Sequence, residues 1–151
     1  MDRRSLTLLM LAAAPGKFYS PVQIQKSMFL LDRQMPRVFD TTSRYVFRPY
    51  DYGPFDSDVY REIEILALDG LAEINIDPAR AMKMYGASER GCIVAADFRR
   101  RLTLNQIEFI RKVSDFVRNL SFSDLVSAIY EAYPDTRMNS IFVDRRTGAG
   151  L

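Results

Sequence analysis

Two carboxylates one helical turn apart, Asp58 and Glu62, have the residue types and spacing for acid–base chemistry. A pair of this kind works when its surroundings separate the two pKa values. The chain has no His and a single Cys, which excludes Ser-His and Cys-His nucleophile pairs, imidazole metal ligands and multi-cysteine zinc sites within one chain. No nucleophile or phosphate-binding loop accompanies the two acids. The sequence therefore predicts that the protein is not an enzyme and needs neither cofactor nor metal.

Basic side chains suggest a second kind of chemistry, contact with nucleic-acid phosphates. Divided after residue 76, the chain holds 9 basic and 10 acidic side chains in its first part and 12 and 9 in its second. This excess is modest for a nucleic-acid binder. The candidate contacts are Arg80, Lys83, Arg99, Arg100 and Arg101. The arginine run also fits a helix C-terminus, where the helix dipole favours cations.

An aromatic segment at residues 47–55 is the most informative part of the sequence. It carries four rings, two prolines and a glycine within nine residues. Exposed tyrosines on a rigid turn make good interface anchors. Alternatively, the rings fill the gap between two helices while Gly53 adopts a positive backbone angle. Lys26, expected on the polar side of its helix, would pair with Asp51 or Asp56 to hold this turn.

Capping residues and apolar periodicity predict the first two helices. Ser5 is expected to begin a buried helix that ends near Ala14. Ser20, Pro21 and Gln23 have the residue types and order of a capping box with Pro at the first helical position. The second helix is expected to run to about Met35, where Pro36 ends it.

A third helix is expected after the aromatic segment. A strand near residues 44–48 is predicted to lead into the aromatic turn, because this stretch is rich in residues that favour extended backbone. Asp56 is expected to cap the helix, which runs to about Asp69 and ends at Gly70. Five acidic residues against Arg61 give this segment a local charge balance of −4.

The remaining segments predict a β-hairpin and three more helices. Residues 72–76 alternate apolar and polar side chains, and residues 82–85 are expected to pair with them. Helices are expected to begin at Ser88, at Thr103 and at Ser121 or Ser123. The apolar stripe of the helix at 103–120, with Phe109 and Phe116 beside it, is expected to pack on its own domain or on a second copy.

Three helices followed by a hairpin is the element order of a winged helix domain, with the hairpin as its wing. The predicted fold is therefore mostly α with a small β-hairpin (α+β), a winged helix-like core followed by C-terminal helices. We expect one domain over residues 1–143 and a disordered tail over 144–151. The third helix would be the recognition helix, but its negative charge would repel DNA phosphates.

Three segments carry a resemblance to a known family: SPVQIQKSMFLLD at 20–32, YVFRPYDYGPFDSDVYREIEILALDGLAEI at 45–74, and SDLVSAIYEAYPDTRMNSI at 123–141. They resemble the Panacea or SocA-like antitoxin domain and the YwgA-like family of small bacterial and phage-associated proteins. The shared pattern is a Gln-Lys-hydrophobic helix, a Tyr-Gly-Pro turn and a Val-Tyr helix ending in Asp-Gly-Leu. The resemblance implies a compact, mostly helical, non-enzymatic domain that neutralises a partner protein by binding it.

The leading hypothesis is a cytoplasmic protein-binding module, antitoxin-like or a phage-defence accessory, which binds a protein partner such as a toxin encoded nearby. A homodimer is compatible with it, and no membrane association is expected. The alternative is a winged helix DNA-binding regulator that uses the basic second half; a structural component of a phage particle is a third class. The expected protein-binding residues are Arg48, Tyr50, Asp51, Tyr52, Phe55, Asp58, Arg61 and Glu62.

Overall fold

The computed structural model describes residues 1–137. This part of the chain folds into six α-helices and two antiparallel two-stranded sheets. The helices are α1 (Arg3–Ala12), α2 (Pro21–Gln34), α3 (Asp58–Leu68), α4 (Glu89–Arg99), α5 (Leu104–Asn119) and α6 (Phe122–Ala132). The strands are β1 (Arg48–Tyr50), β2 (Gly53–Phe55), β3 (Ala72–Asp77) and β4 (Met82–Ala87). The prediction of a mostly helical fold with a small β component is confirmed. The predicted tail at 144–151, and the last residues of the predicted domain, lie outside the described residues.

Helix α1 is the centre of the core. Every residue from Leu6 to Ala12 is buried, as its nearly uniform apolar composition predicts. The predicted cap at Ser5 is wrong, because the helix begins three residues earlier at a cap formed by Asp2. The Asp2 carboxylate accepts a hydrogen bond from the backbone N–H of Ser5 at 2.8 Å. Asp and Ser side chains can both accept hydrogen bonds from the free N–H groups of a first turn, so the sequence offered both Asp2 and Ser5 as the cap of α1.

Helix α2 begins at the predicted capping box. The Ser20 hydroxyl accepts from the N–H of Gln23, and the Gln23 side chain accepts from the N–H of Ser20. These two bonds satisfy donors that the first turn leaves free. The helix packs against α5 and α1, and it ends at Gln34 before a short 3₁₀ turn at Pro36–Val38.

The aromatic segment forms a second hairpin, so the predicted strand near 44–48 is misplaced. Strands β1 and β2 pair antiparallel with Pro49 opposite Pro54, and Asp51 and Tyr52 form the turn. Opposite residues in such a ladder alternate between hydrogen-bonded and non-hydrogen-bonded pairs, and two facing prolines fit the second kind. Gly53 adopts φ +106°, which confirms the predicted positive backbone angle.

Helix α3 begins at Asp58 with Ser57 at its cap position, one residue later than a cap at Asp56 predicts. The Asp56 carboxylate accepts from the N–H of Asp58 at 2.9 Å and from the N–H of Val46 at 2.7 Å. Asp56 therefore caps α3 although it lies one residue before the cap position, and it also fixes the backbone at Val46. The predicted inward face, Val59, Ile63 and Leu66, is buried.

The hairpin β3–β4 has the predicted location, with Ala72 paired to Ala87 and Asp77 to Met82. The short extended segment after α1 joins it through reciprocal backbone hydrogen bonds between Tyr19 and Tyr85. The order of α1, α2, α3 and this hairpin is that expected for the winged helix-like core, which stays a prediction for the overall shape.

Helices α5 and α6 cover the other side of α2. The predicted capping box of Thr103 and Gln106 begins α5, and Ser121 caps α6. The stripe of α5 is buried in the chain's own core, whereas Phe116 is 44% exposed. A second copy packed on Phe116 stays a prediction. Within residues 1–137, none of the helices is long and apolar enough to cross a membrane.

Candidate functional site: an aromatic cavity with buried cations

A cavity of about 720 Å³ lies between the start of α2, the β1–β2 hairpin, the β3–β4 hairpin and the junction of α5 with α6. Its volume is in the range of small-molecule sites. The α2 side contributes Ser20, Gln25 and Lys26, and the α5–α6 junction contributes Arg118 and Phe122. Four elements that are distant in sequence therefore converge on one concave surface.

Stacked rings form a continuous wall of this cavity. Tyr50 stacks on Phe55 with ring centroids 5.0 Å apart, and Phe55 meets the edge of Tyr60 at 5.8 Å. On the other side of the hairpin turn, Tyr52 meets Phe122 of α6 edge to face at 5.1 Å. Tyr50 and Tyr52 nevertheless keep 55% and 43% of their surface exposed. Both interpretations of the aromatic segment therefore hold, because some rings fill space while two tyrosines remain accessible.

Lys26 is buried in the wall of the cavity, and its expected place on a polar face is wrong. Only 3% of the residue is exposed, and its ammonium group donates to the carbonyl oxygen of Pro54 at 3.1 Å. The predicted pairing with Asp51 or Asp56 is not formed, since no ion pair to Lys26 occurs among residues 1–137. Burial without a neighbouring carboxylate lowers the pKa of Lys26 to about 7.

Arg118 supplies a second cation to the same cavity. Its Nε atom is buried and has no hydrogen-bond partner within the described part of the chain. Its guanidinium carbon lies 5.7 Å from the ring centroid of the buried Tyr19. The ring faces the positive charge favourably, but it does not accept the Nε–H hydrogen bond.

Two helix N-termini also border the cavity. Ser20, Pro21 and Gln23 at the start of α2 line it, as do Ser121 and Phe122 at the start of α6. The positive ends of both helix dipoles therefore add to the potential that Lys26 and Arg118 create.

The structure divides the predicted protein-binding residues into two groups. Tyr50, Asp51, Tyr52 and Phe55 line the cavity, and Arg48 is exposed on the same hairpin. Asp58, Arg61 and Glu62 belong to α3 and do not line the cavity. The predicted protein-binding residues therefore form one continuous hairpin surface and a separate surface on α3.

Arg3 of α1 neutralises the acidic pair on α3. Its Nε donates to Glu62 at 2.9 Å and its Nη1 lies 3.3 Å from Asp58. Arg3 also lies 5.1 Å from the ring centroid of Tyr45, whose hydroxyl is hydrogen-bonded to Thr7. We call Arg3, Tyr45, Asp58 and Glu62 the Arg3 cluster. Its carboxylates are held in ion pairs, as expected of structural groups.

The negative charge of α3 is therefore smaller than its sequence suggests. Arg4 pairs with Asp69 at the end of this helix, in addition to the two contacts of Arg3. Both arginines come from α1, which lies more than forty residues away in sequence. The repulsion of DNA phosphates expected from a balance of −4 is reduced accordingly.

The candidate nucleic-acid contacts fall in two places. Arg80 lines the main cavity and pairs with Asp77 at 3.4 Å, and Lys83 is exposed on the same hairpin. Arg99 lines a separate hollow of about 210 Å³. Arg100 and Arg101 are exposed at the end of α4, where Arg100 pairs with Asp97.

Sequence reasoning missed Arg118, Tyr60 and Phe122 as cavity residues and misjudged Lys26. A signal for Lys26 existed: it lies between Ile24 and Met28 in a helix whose residues 24–29 are all buried. Arg118 directly follows the buried Val117 near the end of α5. Neither local pattern reveals that the two cations meet at one cavity, because α2 and α5 are far apart in sequence.

Comparison with known proteins returned no match: no family model, no curated protein and no solved structure corresponds to this chain. In the described residues there is also no group of His, Cys, Asp and Glu side chains that could hold a metal ion. The resemblance to the Panacea or SocA-like domain rests on the sequence segments alone and stays a prediction.

Proposed function

We propose that this chain is a non-enzymatic protein-binding module of the cytoplasm, antitoxin-like or a phage-defence accessory, and that its partner docks on the β1–β2 hairpin at the mouth of the cavity. One observation carries the proposal: Tyr50 and Tyr52 are 55% and 43% exposed on a short, proline-braced hairpin. Tyrosine brings a large contact area and a hydroxyl group with few rotatable bonds to immobilise.

The hairpin is held in place before any partner arrives. Lys26 donates to the carbonyl of Pro54, and the Gln25 side chain bonds both backbone groups of Asp56. Ordering of a flexible loop is a cost of association, so a braced hairpin retains more of its contact energy. The resemblance of residues 45–74 to the antitoxin-like family supports the same surface.

The test is co-expression with the product of a neighbouring gene, followed by purification through a tag on this chain. We expect the neighbour to co-purify and its toxicity, if it is a toxin, to be suppressed. Tyr52→Ala should weaken the complex roughly tenfold or more, as for an interface hot spot. Phe116→Ala is the matched control, because Phe116 is 44% exposed and does not line the cavity. If no neighbour is toxic and none co-purifies, the proposal fails.

A second candidate function is DNA binding, favoured by the pairing of Asp58, Glu62 and Asp69 with arginines of α1. This pairing lowers the electrostatic objection to a winged helix regulator that uses Arg80, Lys83 and the arginines at 99–101. A mobility-shift assay on the upstream DNA tests it. Binding whose logarithm falls linearly with the logarithm of salt concentration is expected for phosphate contacts, and no binding at low salt ends this alternative.

A further inference from the structure

We propose that the cavity binds a carboxylate carried on an aromatic or apolar body, with Lys26 and Arg118 as its two cationic contacts. Lys26 is 3% exposed, and it has one hydrogen-bond acceptor, the Pro54 carbonyl, within residues 1–137. The Nε–H of Arg118 is buried without an acceptor. A buried cation without a counter-charge and a buried N–H without an acceptor are both unfavourable, and an anion bound between Lys26 and Arg118 would offset both costs. The proposal does not require a protein partner.

The walls of the cavity define the rest of the ligand. Tyr50, Phe55 and Tyr60 form a row of contacting rings in the cavity wall. Met82 and Met84 of the β3–β4 hairpin also line the cavity. Flat rings and flexible thioethers suit an aromatic or branched apolar group. A volume of about 720 Å³ accommodates a small organic acid or the end of a peptide.

A single negative charge fits the site better than a phosphate dianion. The cavity presents the buried Lys26, the half-buried Arg118 and the positive ends of α2 and α6, and the carboxyl group of Asp51 lines the same cavity. Arg80, a third cation at the cavity, already pairs with Asp77. One carboxylate has two oxygens, which match one ammonium group and one guanidinium group.

Titration of Lys26 gives the proposal a pH signature. The other charged groups that line the cavity with Lys26 are the carboxyl group of Asp51 and the guanidinium groups of Arg80 and Arg118. The phenols are those of Tyr50, Tyr52, Tyr60 and Tyr130. Burial raises the pKa of Tyr60 to about 12, against the hydrogen bond from Gln25.

The direction of the pH dependence of binding follows from the charge of Lys26 in the free and the bound protein. Burial lowers the pKa of Lys26 to about 7 in the free protein, and a bound carboxylate would raise it. Affinity is therefore expected to be greatest below pH 7 and to fall as the pH rises above it. Binding at pH 8 should be accompanied by proton uptake, seen as a dependence of the calorimetric enthalpy on the ionisation enthalpy of the buffer.

The experiment uses the full chain and titrates phenylacetate, with neutral phenylacetamide as the matched probe, by calorimetry and amide NMR shifts at pH 6.5 and 8.5. We expect phenylacetate to bind roughly tenfold or more tightly than the amide at pH 6.5, as for a charge-assisted contact. The ratio of the two affinities should fall about tenfold at pH 8.5, because Lys26 of the free protein has lost its proton there. Equal binding of the two probes, or no saturable binding of either, would overturn the proposal.

Variants of Lys26 and Arg118 test whether each side chain contacts the bound carboxylate. Lys26→Met and Arg118→Met should each remove the preference for the carboxylate, whereas Lys112→Met, an exposed lysine of α5, should leave it unchanged. Far-ultraviolet circular dichroism and a thermal melt establish that each variant is folded. Retention of the full preference by folded Lys26→Met would exclude Lys26 as a contact and overturn the proposal.

A second pair of probes distinguishes a free organic acid from the end of a partner chain. The tripeptide Gly-Gly-Phe with a free carboxylate is compared with its C-terminal amide. Stronger binding of the free tripeptide than of phenylacetate identifies a peptide carboxylate as the ligand, and the reverse order identifies a free acid. These measurements contain no partner protein, so their outcome is independent of the co-expression test.

Discussion

The Arg3 cluster and the cavity place similar charges in opposite circumstances. In the cluster, Arg3 keeps 25% of its side chain exposed and contacts two carboxylates. In the cavity, Lys26 is almost fully buried and, within residues 1–137, its ammonium group donates a hydrogen bond only to a neutral carbonyl, while the Nε–H of Arg118 has no acceptor there. Each carboxylate of the cluster is held in an ion pair, whereas within residues 1–137 neither Lys26 nor Arg118 forms an ion pair with a carboxylate.

This difference separates structural from functional candidates better than residue type does. Asp58 and Glu62 were the first choice for chemistry because acids one turn apart are a familiar catalytic arrangement. Their ion pairs with Arg3 give them a role in joining α1 to α3. Lys26, expected on a polar helix face in an ion pair with Asp51 or Asp56, is instead the charged group whose burial needs an explanation.

The largest expected effect on stability comes from removing the cation of the Arg3 cluster. Arg3→Met would leave Glu62 without its cation and Asp58 with only the exposed Arg61, and it would remove the contact with Tyr45. We expect the free energy of unfolding to fall by about 2 kcal/mol at neutral pH, less than for a fully buried pair because Arg3 is partly exposed. Urea denaturation measures it. Lys26→Met is the counterpart and should not lower the free energy of unfolding at pH 7, because it removes a buried charge that forms no ion pair within residues 1–137. A larger loss in Lys26→Met than in Arg3→Met would reverse the comparison.

The next effect is the pH dependence of stability that Lys26 confers. Its folded pKa, about 7, lies below its unfolded value of 10.5, so the unfolded chain binds more protons between these two pH values. Stability is therefore gained as the pH rises from 7 toward 10, and the penalty is greatest below pH 7. Between pH 7 and 9 we expect a gain of about 2 kcal/mol in the wild type relative to Lys26→Met. Parallel curves for the two proteins would show that Lys26 is not desolvated.

A smaller effect tests the hydrogen bond beside the Arg3 cluster. Tyr45→Phe removes the hydroxyl that is 2.8 Å from the Thr7 hydroxyl, both in the buried core. Thr7 also donates to the carbonyl of Arg3, so it keeps one partner. We expect a loss of about 1 kcal/mol in unfolding free energy, measured by urea denaturation. No loss would mean that the hydroxyl pair contributes nothing beyond the packing of the ring.

The smallest effect concerns the exposed neighbour of the same cluster. Arg61 lies 3.2 Å from Asp58, but its side chain is 70% exposed. Arg61→Met should change the unfolding free energy by no more than about 0.5 kcal/mol, because solvent and salt screen exposed pairs. A change as large as that of Arg3→Met would show that position in the cluster, and not burial, determines the contribution.

Local signals predicted most of the elements correctly. Ser20 with Gln23, and Thr103 with Gln106, form the expected capping boxes, and the alternation at 72–76 identified the β3–β4 hairpin. These signals succeed because capping and strand alternation are decided by residues a few positions apart. The same holds for Gly70, whose φ of +76° follows the end of α3.

The site could be predicted only in part, because distant contacts decide it. Tyr50, Tyr52 and Phe55 were identified from their crowding on one segment. The burial of Lys26 depends on Pro54, which lies 28 positions away, and the cavity wall opposite depends on Arg118 and Phe122. The sequence predicted a strand near 44–48 and a turn instead of the β1–β2 hairpin, because Pro49 and Pro54 argue against strands until their facing register is known.

The facing prolines limit the kind of partner that the hairpin can accept. At a non-hydrogen-bonded pair, the backbone N–H and C=O groups point away from the neighbouring strand, toward the outer edges of the hairpin. Pro49 and Pro54 have no N–H, so each edge of the hairpin lacks a donor that an added strand would need. The outward carbonyl of Pro54 already accepts a hydrogen bond from Lys26. These missing groups disfavour extension of this sheet by a bound chain, and we expect recognition to depend on the shape and chemistry of side chains. The same arrangement protects an exposed, tyrosine-rich hairpin from edge-to-edge aggregation.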